Sequence, residues 1–299
     1  MKTRAPERSA SPPADIPGFL LRALEARWHR FAAELARSRR RCTEPGIHDL
    51  RVATRRLLAV LDLTAAVLPG EVAPRARRAL RRHLRSFSPL RDCHVRILTL
   101  RGYARRFTVG RALLQSARSD ERALVREAAR TIARFDGTAL EGEVAAIARA
   151  LTGLDGAAAR AAGEVLAGTA AKKYLRVASR RRKVTGASSR SIHRLRVAFK
   201  EYRYTIEALL PLFPGVDRRR LKEMNALQDS MGAIQDVEVL IDVVAHFAVR
   251  RGASFPVSVL NFQRLLAERR RALVGLFLKE ADAVAGFWPP GGTAEEAAR

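Results

Sequence analysis

IHDLRVATRRL runs from Ile47 to Leu57, and IHRLRVAFKEY runs from Ile192 to Tyr202. Each copy places a histidine ahead of basic residues at helical spacing, with apolar residues between them. A helix turns about 100° per residue, so Arg51 lies ~60° and Arg55 ~20° from His48 around the axis. These three form one stripe, while Leu50, Leu57, Leu61 and Thr64 take the opposite side. In the second copy His193, Arg196, Lys200 and Arg203 make the stripe, and Leu195, Tyr202, Ile206 and Leu209 oppose it. Each stretch therefore predicts a helix with one core face and one cationic face. An ordinary amphipathic helix would intersperse Glu among its charges, and these stripes are almost purely basic.

The duplication reaches further. SPLRDCHVRIL (Ser88–Leu98) aligns with GAIQDVEVLID (Gly232–Asp242), which sets Asp92 opposite Asp236. His48 and Asp92 are 44 residues apart, and His193 and Asp236 are 43 apart. Two motifs in one order at nearly equal separation predict two tandem helical bundles from a duplication, related by a pseudo-two-fold. The expected units are 17–152 and 157–288, with a weak linker between them and disordered tails at 1–16 and 289–299.

Every other segment agrees with an all-α fold. Leu20, Leu24, Trp28, Phe31 and Leu35 repeat at helical spacing, and no stretch sustains strand-like alternation. Pro45-Gly46 reads as a break before the first histidine helix. Ser88-Pro89 reads as an N-cap followed by proline in the first turn. The second half predicts one helix through Arg219–Gly232, then another through AIQDVEVLIDVVAHF.

Composition narrows the partners. The chain has 299 residues, 47% of them hydrophobic, which suits a sizeable core and excludes compositional disorder. Its net charge is +26. A domain this basic repels itself until a polyanion neutralises it, so a polyanionic partner is expected. Arginine dominates, and its planar fork of donors matches phosphate oxygens. Two cysteines, Cys42 and Cys93, make no disulfide framework and suit a reducing cytoplasm. The longest apolar run, Leu57–Leu68, contains Asp62 and is too short to span a bilayer, so no membrane partner is expected. No cofactor or metal is expected either.

Further basic stripes extend the picture. Arg75, Arg78, Arg82 and Arg85 share a face of the third helix, and Lys222 aligns with Arg78. Lys172, Arg176, Arg180 and Lys183 share a face in the second half, as Arg27, Arg30, Arg37 and Arg41 do in the first. Asp92 and Asp236 read as structural carboxylates that hold backbone N–H groups or a neighbouring arginine.

The paired H-x-x-R-V-A helices, each followed by an R-D or Q-D motif ahead of an apolar run, resemble the CHAD family, the conserved histidine α-helical domain. The resemblance covers nearly the whole chain between the tails. It implies two related helical bundles whose basic faces meet around a groove or pore that binds inorganic polyphosphate. His48, Arg51 and Arg55 then fall on the anion-binding helix of the first half, and His193, Arg196 and Lys200 on that of the second. Arg78, Arg82, Arg176, Arg180, Arg203 and Lys222 complete the expected polyphosphate-binding set. Glu201 departs from the all-basic pattern; it either weakens anion binding or pairs with a nearby arginine. Some relatives carry a CYTH-type triphosphatase domain. EGEVA (Glu141–Ala145) has only the start of that motif and Ala145 where lysine is required, so the chain reads as a stand-alone, non-catalytic member. A cytoplasmic location, in association with polyphosphate granules, is expected.

Two other functions fit parts of the sequence. A nucleic-acid binder would share the charge, but the stripes offer few aromatic platforms and no helix-turn-helix or zinc-finger pattern appears. A metal-dependent phosphohydrolase would use His48-Asp49 with His29 or Asp62. The copy reads His193-Arg194, so what is duplicated is the histidine with its cations. Oligomeric state is left open by the sequence.

Overall fold

The computed structural model describes residues 15–68, 74–185, 188–213, 216–250 and 257–288, with the side chains of 249 and 250 left aside. Among these residues the chain is helical throughout and has no strand. The helices are α1 (Ile16–Arg40), α2 (Glu44–Val67), α3 (Pro74–Ser86), α4 (Ser88–Tyr103), α5 (Thr108–Ala133), α6 (Gly137–Thr152), α7 (Gly156–Arg182), α8 (Ser189–Leu209), α9 (Arg218–Arg250) and α10 (Val257–Glu280). Short 3-10 turns follow α8 and α10. The expected tails lie outside the described residues, apart from Asp15 and Ile16.

Side-chain caps set where several helices begin. Asp15 accepts from the Gly18 N–H at 2.8 Å, Asp136 from Ala139 at 2.8 Å, and Asp155 from Ala157 and Ala158, both at 2.8 Å. Thr43 accepts from Gly46 at 3.2 Å, so α2 begins at Glu44. Pro45-Gly46 thus lies inside the first turn of α2 and does not break the chain. Proline fits there because its missing N–H would have had no helical partner. The start of α4 also differs from expectation: Phe87 is the cap residue, it makes no side-chain cap bond, and Ser88 is already helical.

The aligned segment in the second half shows what Pro89 does. Pro89 corresponds to Ala233. Without a proline the helix runs straight through, and the expected pair of helices is one helix, α9, from Arg218 to Arg250.

The two histidine helices, α2 and α8, pack on each other at the centre. Helix α1 flanks α2 as α7 flanks α8, α5 packs on α4 as α10 packs on α9, and α4 meets α9. Leu50, Leu57, Leu61 and Thr64 are buried on α2, and Leu195, Tyr202, Ile206 and Leu209 are buried on α8, as the periodicity predicts. One large apolar cluster runs from Leu20 on α1 through both histidine helices to Phe287, and a smaller one joins α4 and α5 to α9 and α10. Both clusters draw residues from either side of the turn at 153–155.

A buried charge cluster sits on this seam. Glu207 of α8, its side chain 14% exposed, faces Arg56 of α2 at 2.6 Å, Arg203 of its own helix at 3.3 Å and Arg27 of α1 at 3.8 Å. One carboxylate thus ties three helices together, two from one half and one from the other. At the C-terminal end, Tyr202 donates its hydroxyl to the Phe287 carbonyl at 2.8 Å, which pins the last 3-10 turn over α8.

Candidate polyanion-binding groove

The core faces of α2 and α8 meet in such a way that parts of their cationic faces are drawn inward. A groove of about 520 Å³ opens between α2, α3, α7 and α8. Seven cations line it: Arg51, Arg55, Arg81, Arg85, Lys173, Arg176 and Lys200. Two carboxylates, Asp62 and Glu201, stand among them, and both are already engaged. Asp62 holds Arg77 at 2.7 Å and Arg81 at 3.2 Å. Glu201 pairs with Arg176 at 3.3 Å, which answers the question its sequence position raised.

Arg51 is only 6% exposed, and it donates to the Leu84 carbonyl at 3.0 Å. Burial, with Arg55 and Arg91 close by, lowers its pKa to about 9, so it still carries its charge at neutral pH. Burial likewise lowers the pKa of Arg55, against the opposing effect of Tyr204 beside it. Arg196 on α8 is lowered by burial and by Arg91, with Asp236 opposing. Lys200 is the one brought to neutrality. Burial, and then the fields of Arg55, Arg196, Arg91 and Arg51, bring it down to about 7. The Nε groups of Arg55 and Arg196 are buried with no hydrogen-bond partner among the described residues. Buried donors left unpaired are uncommon in native folds, and Arg55 lies in the groove lining.

Arg91 stands in the middle of this group. It lies on α4, donates to Asp92 at 3.1 Å, and lowers the pKa values of Arg51, Arg55, Arg196 and Lys200. Asp236 is half-buried; burial raises its pKa, while Arg91 and Arg196 pull it back. The two aligned aspartates thus serve the same cations from α4 and α9. Arg176, Lys200, Arg55 and Arg51 share the groove, and electrostatic coupling carries this track through Arg91 to Arg196 outside its lining.

The structure does not bring all the expected residues to this track. Arg51, Arg55, Arg176, Arg196 and Lys200 belong to it. Arg203 is 6% exposed and turned inward, donating to Gln228 at 3.0 Å and to Glu207, with its guanidinium 4.2 Å from the Tyr204 ring centroid. Its role is to hold the seam. His48 is exposed and does not line the groove. His193 lines a separate recess, its Nδ1 2.7 Å from Gln235 Oε1. Arg180 and Lys222 lie outside the groove lining. Arg78 and Arg82 face another cavity, between α3, α5 and α6.

Helix α3 carries arginines over one broad arc, so its sequence alone does not say which of them meet α2. Asp62 decides it by drawing Arg77 and Arg81, and with them Arg85, toward the groove. Arg91 carries no such signal in the sequence, because the aligned position is Gln235 and only the aspartate is shared. Lys173 was hidden by its neighbour Lys172. Lys173 turns inward and donates to the Thr205 hydroxyl at 2.8 Å, and Lys172 is exposed.

The pairings also bear on the hydrolase alternative. Asp49 is bound to Arg37 at 2.6 Å, and Asp62 to Arg77 and Arg81. Among the described residues no three His, Cys, Asp or Glu side chains converge to hold a metal ion. None of the described helices is long and apolar enough to cross a membrane.

The family model for the CHAD domain matches residues 22–245. No curated protein matches the chain in sequence. Among solved structures, the crystal structure of the CHAD domain from the plant Ricinus communis is similar over 95% of this chain and 96% of its own, at 20% identity and a TM-score of 0.66. PptA from Streptomyces chartreusis is similar over 96% of this chain and 99% of its own, at 20% identity and a TM-score of 0.50. At such identities the likeness speaks for the fold.

Proposed function

The chain belongs to the CHAD domain family, and we propose that it binds inorganic polyphosphate, without catalysis, along the track between α2, α4 and α8. The observation that carries this reading is the gathering of cations from both histidine helices in a part-buried recess, where burial first and the neighbouring arginines second bring Lys200 down to about 7. An arrangement that costs the empty protein this much electrostatic repulsion is suited to a ligand that supplies negative charge at regular intervals. Phosphate oxygens would accept from the unpartnered Nε groups of Arg55 and Arg196, and their charge would restore the proton on Lys200.

A nucleic acid would meet the same cations, but among the described residues Tyr204 is the one aromatic side chain lining the groove, and Arg203 already covers its ring. Base stacking has little purchase there. Polyphosphate needs no stacking. A cytoplasmic location, in association with polyphosphate, forms part of the same proposal.

The test is a double variant, Arg55→Ala with Lys200→Met, titrated with labelled long-chain polyphosphate. Its affinity is expected to fall at least tenfold while the helical circular dichroism stays unchanged. Wild-type affinity in the folded variant would overturn the assignment of the track.

A further inference from the structure

The cavity that receives Arg78 and Arg82 has features the polyphosphate track lacks. It measures about 660 Å³ and lies between α3 and the α5–α6 corner, within the size range of small-molecule sites. Ala76, Ala79 and Ala139 keep it open, and Phe135 gives it an aromatic wall.

His83 forms the floor. It is 3% exposed and packed among Phe31, Phe87 and Phe135, with ring centroids 6.3, 4.6 and 4.3 Å away. Phenylalanine or leucine would serve this packing as well. Yet both ring nitrogens of His83 are buried without a hydrogen-bond partner among the described residues. Burial, with Arg39 nearby, lowers its pKa to about 4, so at neutral pH the ring has one donor and one acceptor unused. Leaving buried polar groups unsatisfied costs stability, and in native folds it calls for a reason.

The rim is polarised. Arg75, Arg78 and Arg82 are exposed, and among the described residues their side chains make no ion pair or hydrogen bond. Across the cavity, the half-buried carboxylate of Glu143 is likewise unengaged. A bare phosphate chain would meet the arginines, Arg134 among them, but has no donor to offer Glu143. A ligand with an anionic end and a donor-bearing end satisfies both walls.

We propose that this cavity is a second binding site, and that it takes a nucleoside phosphate. The phosphates lie on the arginine rim of α3, the flat base lies against Phe135 over the small alanines, and base or ribose donors reach Glu143. His83 supplies the hydrogen bond from the floor. Arg81 and Arg85 of the same helix reach the polyphosphate groove, so α3 supplies neighbouring arginines to both sites.

The test uses the full chain and ATP, measured calorimetrically with the polyphosphate track already saturated. One equivalent is expected to bind. Arg78→Ala with Arg82→Ala should weaken ATP at least tenfold and leave polyphosphate affinity unchanged, which also shows that the variant is folded. Glu143→Gln should weaken ATP but not inorganic tripolyphosphate, and Lys200→Met should leave ATP binding as it was. His83→Phe, conservative in its packing, should weaken ATP without loss of helix. The proposal is overturned if ATP shows no saturable binding, or if the Arg78/Arg82 variant binds it normally. It is also overturned if polyphosphate or tripolyphosphate displaces ATP and Lys200→Met abolishes its binding. That last pattern would mean ATP was held by its phosphates in the central track.

Discussion

Lys200 is the residue at which the chemistry of the groove can be read most directly. Its pKa of about 7 in the empty protein lies far below the usual lysine range, because it is buried beside Arg55, Arg196 and Arg91. A bound polyanion reverses the sign of the local field and raises that pKa. Binding near and above pH 7 is therefore expected to take up protons, and affinity to fall as pH rises from about 7 toward the ordinary lysine value. Calorimetry in buffers of different ionisation enthalpy would detect the uptake; a proton count of zero at pH 8 would contradict it. Stability of the empty fold runs the other way. Over the same pH window the unfolded chain holds more protons at this position than the folded one, so the empty protein gains stability with rising pH. Lys200→Met should accordingly stabilise the empty protein, by about 1 kcal/mol or more, while weakening polyphosphate binding. A variant that lost both would show that Lys200 serves the fold.

At this scale the sequence was partly legible. The spacing of Arg51, Arg55, Arg196 and Lys200 identified the cationic faces, because helical phase depends only on position. It could not say how deeply each side chain would be buried. Arg203 lies on the predicted stripe but turns to Glu207 and Gln228, since α8 is enclosed there by the rest of the fold. The histidines that mark the motif are exposed, and neither lines the groove.

Among the elements, the seam between α1, α2 and α8 depends on Glu207 and its three arginines. Glu207→Gln would leave Arg203 buried opposite an amide. A loss of roughly 3 kcal/mol is expected, at the low end for a broken buried pair because Arg27 and Arg56 remain about a third open to water. Equilibrium denaturation measures it, and a loss below about 0.5 kcal/mol would mean the cluster behaves as surface charge. Nothing in the sequence predicted this cluster, because its members belong to three different helices and meet only when the two halves pack. Prolines misled in one direction. Pro45-Gly46 reads as a break although it sits in a first turn, and Ala233, where the aligned segment has Pro89, lets α9 run on.

For the whole molecule, a net charge of +26 makes the empty fold self-repelling and the complex salt-sensitive. With six cations on the track, the logarithm of affinity should fall with the logarithm of salt at a slope of about −4, by analogy with single-stranded polyanions. Polyphosphate should raise the melting temperature, and added salt should reduce that gain while stabilising the empty protein. A slope near zero would remove the electrostatic basis of the account. The all-α class was legible because apolar periodicity near 3.6 runs through every segment. The sequence did not show that the apolar clusters cross from one half to the other, since long-range packing leaves no periodic trace.

The central claim is that these cations form a recess selective for a bare phosphate chain. The most direct measurement is a competition titration at near-physiological salt, with labelled long-chain polyphosphate displaced by duplex DNA or by short phosphates. The account predicts that polyphosphate is retained against either competitor by orders of magnitude per phosphate. Equal competition by duplex DNA would contradict it and show the cations to be an open, unselective patch.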